Sequence, residues 1–463
     1  MSIDTDTTDL AGTTAELRQL AIDHLWQHNR DWESAARDNE PLIFVSGDGI
    51  RVTDSDGETW IDVNGGYSSV NIGYGRTEIA EAAFEQLKQI PYFPQGSANP
   101  PTIRLAAKLA ELAPGTLNRA FPVSGGSLAN ETALKIARAY HKRRGHDGRF
   151  RLISRRGSYH GATGGVLFLG SNPATPRSDY EPGPPGMAYA PQPNAYRCEL
   201  GSTSSEDCAV KCATAIEELI KFHGPETVAA VIAEPVASGP GAVMPEPVYW
   251  HMLREICTRY DVLLIADEVI TGFGRTGKLF AVEHFDIVPD IMSIAKGISS
   301  SYLPLGATLA TDAVAAEFAT AGKHLKHVFT FAGHPASAAA GLKNIELIEA
   351  EGLVNNAAET GEYLTGKLLE LQDRHPIIGD VRGVGFMQAL DLVADRETRE
   401  IYPAESKLIE RINARFKARR LLIKAHSGHI LNLSPPLCTT RDDLDEILVG
   451  ISETLGEVEA ELG

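Results

Sequence analysis

The chain carries the stretch Val262-Leu263-Leu264-Ile265-Ala266-Asp267-Glu268-Val269, and a little further on Asp290-Ile291-Met292-Ser293-Ile294-Ala295-Lys296-Gly297. Each is a short apolar run, rich in branched residues, that stops at a charged side chain, the pattern of a buried strand delivering a functional group from its carboxyl end. In open α/β sheets the ligand sits in the crevice outside those carboxyl ends, so Asp267 and Lys296 are candidates to converge on one small molecule. Spacing alone fits equally well a loop-capping Asp267 and a solvated Lys296. A third run, Val228-Ala229-Ala230-Val231-Ile232-Ala233, ends at Glu234-Pro235. Three buried strands finishing on titratable residues favour a functional site, because chance placement scatters such groups over surface faces.

Composition narrows the class. A chain of 463 residues, 43% of them hydrophobic, can bury a large core and is expected to divide into two or more lobes. Acidic residues outnumber basic ones, 61 against 43, for a net charge of −18, which argues against a nucleic-acid partner. Residues Met1 to Asp9 are acidic and polar, without a basic n-region or an apolar h-region, and no apolar run approaches about 18 residues. These features read as a soluble cytoplasmic protein with no membrane partner. The five cysteines (Cys198, Cys208, Cys212, Cys257 and Cys438) are odd in number and form no C-x-x-C pair, so neither a disulfide framework nor a metal site is expected. Cys208 and Cys212, one helical turn apart, read as ordinary reduced thiols.

In chain order, residues 1 to about 14 read as disordered, and a helix begins near Ala15. Three β-prone runs follow, around Phe44, Val52 and Ile61, separated by turn chemistry, as in a small antiparallel meander. Asn64 to Gly75 is glycine-rich and carries Tyr67, Ser68 and Tyr74, a composition suited to lining a pocket. From Glu78 helices alternate with buried strands, the signature of a mostly parallel sheet. Ser124-Gly125-Gly126-Ser127 opens an Ala-rich helix running to Arg144 and is either an anion site at a helix N-terminus or plain punctuation. The glycines of Gly157-Ser158-Tyr159-His160-Gly161 leave room for Tyr159 to lie flat on a planar ligand, although it could equally be a core aromatic. Residues 170–205, dense in Pro, Gly and Ser, read as a long surface excursion.

Together these motifs resemble the class III (ω-amino acid and amine) pyridoxal-phosphate aminotransferases. The resemblance runs from about His24 to Pro436. It rests on Gly126-Ser127 with Ala129-Asn130-Glu131, Tyr159-His160-Gly161, Glu234-Pro235, Asp267-Glu268-Val269 through Gly277, Ala295-Lys296-Gly297, Thr330-Phe331-Ala332-Gly333-His334-Pro335 and Ser434-Pro435-Pro436. It implies a fold type I enzyme: a large α/β domain over residues 79–344, and a small α+β domain joining 15–78 to 345–463. It further implies that Lys296 binds pyridoxal 5'-phosphate covalently and shuttles the substrate proton, and that Asp267 pairs with the ring nitrogen. Gly126 and Ser127 would cradle the phosphate, Tyr159 and Val269 would flank the ring, and Glu234 would belong to the same cofactor set. Thr330 of a neighbouring subunit would close the phosphate cup, which requires a homodimer with shared sites, or a tetramer built from such dimers. Tyr67, Ser68, Tyr159 and Lys424 are the substrate-side candidates.

The sequence departs from the family's pattern in three places. Leu128 stands where a Glu is common after the phosphate-binding Ser. Lys424, in Leu421-Leu422-Ile423-Lys424-Ala425, stands nearest to the usual carboxylate-clamping Arg and offers a point charge without the bidentate fork. Arg382 is the other cation considered for that task. Ser68 occupies a position where a bulky aromatic is common. The resemblance implies amino transfer from an amine or ω-amino acid to a small 2-oxo acid such as pyruvate. A decarboxylase, aminomutase or epimerase of the same fold, and a non-catalytic cofactor-binding protein, remain open at this level, because the same Lys and Asp serve all of them.

Overall fold

The computed structural model describes residues 12–29, 31–37, 40–94, 96–171 and 177–462. The disorder and the missing leader signature expected for residues 1–11 lie outside the described residues. The first helix, Thr14–His24, opens on a reciprocal cap in which the Thr13 hydroxyl accepts from Glu16 N–H while the Glu16 carboxylate accepts from Thr13 N–H.

Among the described residues the strands form three sheets. The first contains the meander read from sequence, β1 (Phe44–Asp48), β2 (Arg51–Asp54) and β3 (Thr59–Asp62). The second has seven strands: β4 (Arg119–Val123), β5 (Arg151–Arg155), β6 (Met187–Ala190), β7 (Val228–Ala233), β8 (Leu263–Asp267), β9 (Ile291–Ala295) and β10 (Gly306–Ala310). Its order is β4-β10-β9-β8-β7-β5-β6. The third contains β11 (Ile378–Val384) and β12 (Met387–Leu392). Next in the chain, β13 (Leu421–Leu422) adds to the first sheet, while β14 (Lys424–His426) and β15 (Ile430–Leu433) complete the third.

The central sheet is parallel from β6 through β9, and β10 runs antiparallel to both β9 and β4. Every residue of β7, β8, β9 and β10 is buried, which explains why these strands read as continuous apolar runs rather than alternating ones. Helices on both faces supply the cover. Helix Gly126–Arg143 buries Ala133, Leu134, Ile136 and Ala137 against one face, and helices Ser205–His223 and Pro247–Arg259 bury Ile216, Ile220, Trp250 and Leu253 on the other.

One expectation needs correction. Residues 170–205 are not wholly a surface excursion, because Met187–Ala190 pairs with β5 in parallel and forms the sheet's far edge. Proline and glycine on either side of these four residues hide them from a reading based on composition. The two chain ends also meet: Leu421 and Leu422 pair in parallel with Ile61 and Asp62.

Candidate active site

Strands β7, β8 and β9 deliver Glu234, Asp267 and Lys296 to the same rim of the sheet, and all three line one cavity of about 340 Å³. The cavity is also lined by Gly125, Gly126, Ser127, Tyr159, His160 and Val269.

Asp267 is buried and firmly held. Its Oδ2 accepts from Asn130 Nδ2 at 2.8 Å and faces His160 Nδ1 at 2.7 Å, while Oδ1 accepts from Val269 N–H at 3.1 Å. His160 itself is buried, and although burial disfavours its charged form, Glu234 and Asp267 on either side raise its pKa. Glu234 is closed into the same cluster: Arg155 and Ser158 donate to its Oε2 at 3.0 and 2.8 Å, and Tyr159 N–H donates to Oε1 at 3.2 Å. Burial opposes its ionisation, but His160 and Arg155 outweigh burial and lower its pKa to about 2. Two charged pairs thus fix the floor of the cavity in place. The sequence reading named Asp267 and Glu234 but gave no role to Asn130, His160 or Arg155. An Asn and a His inside motifs already singled out were the available signal.

Lys296 follows β9 in a left-handed backbone conformation, φ +49°, which costs a non-glycine residue of order 1–3 kcal/mol and is tolerated where the surroundings over-determine it. Its Nζ donates to the Tyr67 carbonyl at 2.8 Å. That carbonyl is presented by an unusual turn: Gly65, Gly66, Tyr67 and Ser68 all have φ between +53° and +61°, one turn of left-handed helix. Burial and the nearby Lys424 charge lower the Lys296 pKa to about 7, leaving a large share of free amine at neutral pH. Acylation of Lys296 by a small reagent in the cofactor-free protein, followed by peptide mass spectrometry, is therefore expected to titrate with a midpoint near 7. A midpoint near the ordinary lysine value of about 10.4 would show that the amine is not tuned.

At the other end of the cavity, Gly125 and Gly126 open the helix whose N-terminus faces inward. A helix start leaves its first N–H groups without intrahelical partners and carries the positive end of the dipole, so it favours an anion. The backbone here has no spare room on one side and open space on the other. A Cβ on Gly126 would lie 2.7 Å from Val269 Cγ1 and one on Gly161 2.6 Å from Ser127 Oγ, whereas one on Gly125 would meet nothing within 4 Å. The donor set fits a planar ring bearing an acid-pairing nitrogen at one end and a phosphate at the other.

The remaining candidates separate. Tyr67 is 68% exposed and, like Lys424, stands outside the cavity lining; the Lys424 ammonium lies 5.9 Å from the Tyr67 ring centre. Lys424 is half-buried, burial lowers its pKa, and among the described residues it has no carboxylate partner. Arg382, the alternative cation, is committed to Asp380 and Asp391 at 2.7 and 3.0 Å. Ser68 is buried and points away, its hydroxyl donating to Ser434 Oγ at 2.8 Å. Thr330 is exposed and does not reach this cavity within one chain, and its carbonyl accepts from Tyr92 at 2.9 Å.

An acid-paired floor, a depressed lysine and a glycine-rich anion cradle at the edge of one parallel sheet define an α/β enzyme built around an organic cofactor. The model of the aminotransferase class-III family matches residues 33–455, and the chain belongs to that family. It is 38% identical over 459 residues to a taurine–pyruvate aminotransferase of Bilophila wadsworthia, covering 97% of this chain and 99% of that one. A putrescine–pyruvate aminotransferase of Pseudomonas aeruginosa is 35% identical over 449 residues, covering 93% and 97%. Among solved structures, an (S)-enantioselective omega-transaminase from Thermomicrobium roseum superposes with a TM-score of 0.92 at 39% identity, covering 96% of this chain and 98% of that chain. The protein is accordingly a pyridoxal-phosphate-dependent aminotransferase of fold type I. Amino transfer prevails over the decarboxylase, aminomutase and epimerase alternatives left open by the sequence.

Proposed function

We propose that the protein moves an amino group from a primary amine or an ω-amino acid to a small 2-oxo acid, pyruvate foremost, at sites shared between the two subunits of a cytoplasmic homodimer. The observation that carries the substrate side of this reading is Lys424, a half-buried cation without an acid among the described residues, standing over the same Tyr67 whose carbonyl holds Lys296. An unpaired cation at such a place favours an anionic substrate group. The pyruvate-dependent relatives support the choice of acceptor.

In this reading Gly126 and Ser127 hold the cofactor phosphate, Val269 and Tyr159 enclose the ring, and Asp267 keeps a proton on the ring nitrogen. His160 and Asn130 orient the Asp267 carboxylate, while Glu234 accepts from the Tyr159 backbone and lies 3.8 Å from His160 Nε2. Pyridoxal phosphate, when bound, supplies a carbonyl that accepts the amino group and a ring that spreads the electron pair left by the departing proton. Lys296 would hold the cofactor between turnovers, and once freed its amine would take the proton from the donor's amine-bearing carbon and, in the second half of the exchange, deliver a proton to the acceptor's former carbonyl carbon. Lys424 orients the acceptor's carboxylate, while Tyr67 and Ser68 bound the substrate side. Thr330 comes from the partner subunit, and the exposed apolar side chains beside it, Val328 and Phe331, support a subunit contact there. A large domain over 79–344 and a small one joining 15–78 to 345–463 complete the reading, supported by the β3–β13 pairing of the chain ends.

Lys424→Ala is expected to raise KM for pyruvate about tenfold or more, a loss of about 1.4 kcal/mol, and to leave the half-reaction with a carboxylate-free amine nearly unchanged. Separate half-reaction kinetics on the one variant decide this. Equal effects on both halves, or none on either, would remove Lys424 from substrate recognition. A screen of amines against pyruvate and longer 2-oxo acids tests the substrate class, and preference for a 2-oxo acid other than pyruvate would overturn the acceptor.

A further inference from the structure

Outside the cavity lining, beside helix Ser205–His223, three of the five cysteines come together. Cys208 and Cys212 lie on successive turns of helix Ser205–His223, and Cys198 follows a short 3-10 turn, Ala195–Arg197, in the loop that precedes the helix. The three sulfurs all lie within 4.8 Å of one another, with Cys208 and Cys212 buried and Cys198 half-buried. Cys257 and Cys438 do not join them. We propose that Cys198, Cys208 and Cys212 form a three-thiolate site for a single thiophilic d10 metal ion, Zn²⁺ or Cu⁺, that fastens this loop to the helix.

The geometry is close to what such an ion needs. Three sulfurs about 2.3 Å from a common centre stand about 3.8 Å apart around a tetrahedral ion and about 4.0 Å apart around a trigonal one, so the trio has to contract by up to about 1 Å. Sulfur donors alone, with no imidazole or carboxylate in the set, select soft ions over Mg²⁺ or Ca²⁺. Cys208 is the fourth residue of a 19-residue helix capped by the Ser204 hydroxyl, which places the trio against the helix's N-terminal end. The Lys211 ammonium lies near enough to Cys198 and Cys208 to interact with both, while it donates to the Gly201 carbonyl at 3.2 Å within the same loop and to Asp207 at 2.9 Å. Thiolate coordination displaces the thiol protons, so binding exchanges protons for the ion.

The site also has a mechanical connection. The Cys212 thiol donates to the Gln192 carbonyl at 3.5 Å, and Gln192 Nε2 donates to the Arg156 carbonyl at 3.2 Å, directly ahead of Gly157-Ser158-Tyr159. Coordination would take the Cys212 proton and with it the bond to Gln192, so metal loading would be coupled to the outer support of the loop that carries Tyr159.

The test uses the reduced, cofactor-loaded enzyme titrated with Cd²⁺, following sulfur-to-metal charge transfer in the ultraviolet. Zn²⁺ and Cu⁺ are then titrated separately in competition with chromophoric chelators. One ion per chain is expected for at least one of the three metals. Cys198→Ser is expected to weaken that binding beyond the roughly tenfold to hundredfold loss typical of outer-shell partners, with Cys208→Ser behaving alike and Cys438→Ser unchanged. Because Cys198 is half-buried in a loop, its variant should fold even if the Cys208 variant does not, and its thermal midpoint and cofactor absorbance check this. The metal should raise the wild-type midpoint and not that of Cys198→Ser. Failure of all three ions to bind at one per chain, or equal affinity in wild type and Cys198→Ser, overturns the proposal.

Discussion

Lys296→Ala is expected to abolish amino transfer, by more than about a thousandfold or about 4 kcal/mol of barrier, while cofactor still binds noncovalently. The lysine side chain is the amine that would hold the cofactor and move the proton, and among the described residues no other amine lines the cavity. The contacts assigned to the phosphate and ring come from Gly126, Ser127, Tyr159, Val269 and Asp267, none of which the substitution alters. Nor should the fold suffer, since a φ of +49° strains an alanine about as much as a lysine. The visible absorbance of the bound cofactor should therefore move to that of its unattached form, with a nearly unchanged thermal midpoint. Turnover at more than a small fraction of wild type would remove Lys296 from its role.

The second large effect is expected at Asp267. Asp267→Asn should lower the rate at least a hundredfold, about 2.7 kcal/mol, and change stability far less. A neutral amide cannot hold a proton on the ring nitrogen, so the ring loses its capacity to spread negative charge. The local structure has a partial remedy for the fold but none for the chemistry. An amide oxygen in place of Oδ2 still accepts from Asn130 and from His160, which keeps the floor of the cavity assembled, while the amide nitrogen then meets the Val269 N–H. Rates near wild type, or a collapse of stability equal to the loss of rate, would show that the carboxylate serves structure instead.

Much of this site was legible in sequence because its residues end buried strands, and an apolar run that stops at Glu234, Asp267 or Lys296 leaves little freedom in where the last side chain goes. The partners were less legible. His160 reaches Asp267 across 107 positions of chain and Asn130 across 137, distances over which no periodicity speaks. The same limit applies to Met187–Ala190, whose strand character comes from pairing with β5 rather than from its own composition. Ser68 shows a detail that sequence does not carry: the left-handed turn at Gly65–Ser68 turns its hydroxyl onto Ser434. A run of positive φ across two non-glycine residues leaves no compositional trace. Cys198 likewise joins Cys208 and Cys212 only through the path of the intervening loop.

The parallel pairing of Leu421–Leu422 with Ile61–Asp62 sets an order on synthesis. The meander β1–β3 leaves the ribosome early, but one edge of β3 has no neighbour until a segment made some 360 residues later arrives. At about 5–20 residues per second, that edge stays open for roughly 20–70 s, long enough for the intervening central sheet to assemble first. The nascent chain thus carries an unpaired strand through most of its translation, and chaperone demand should concentrate on that interval. Ribosome-bound chains halted before residue 421 should remain protease-sensitive around β3, and chains released beyond it should not.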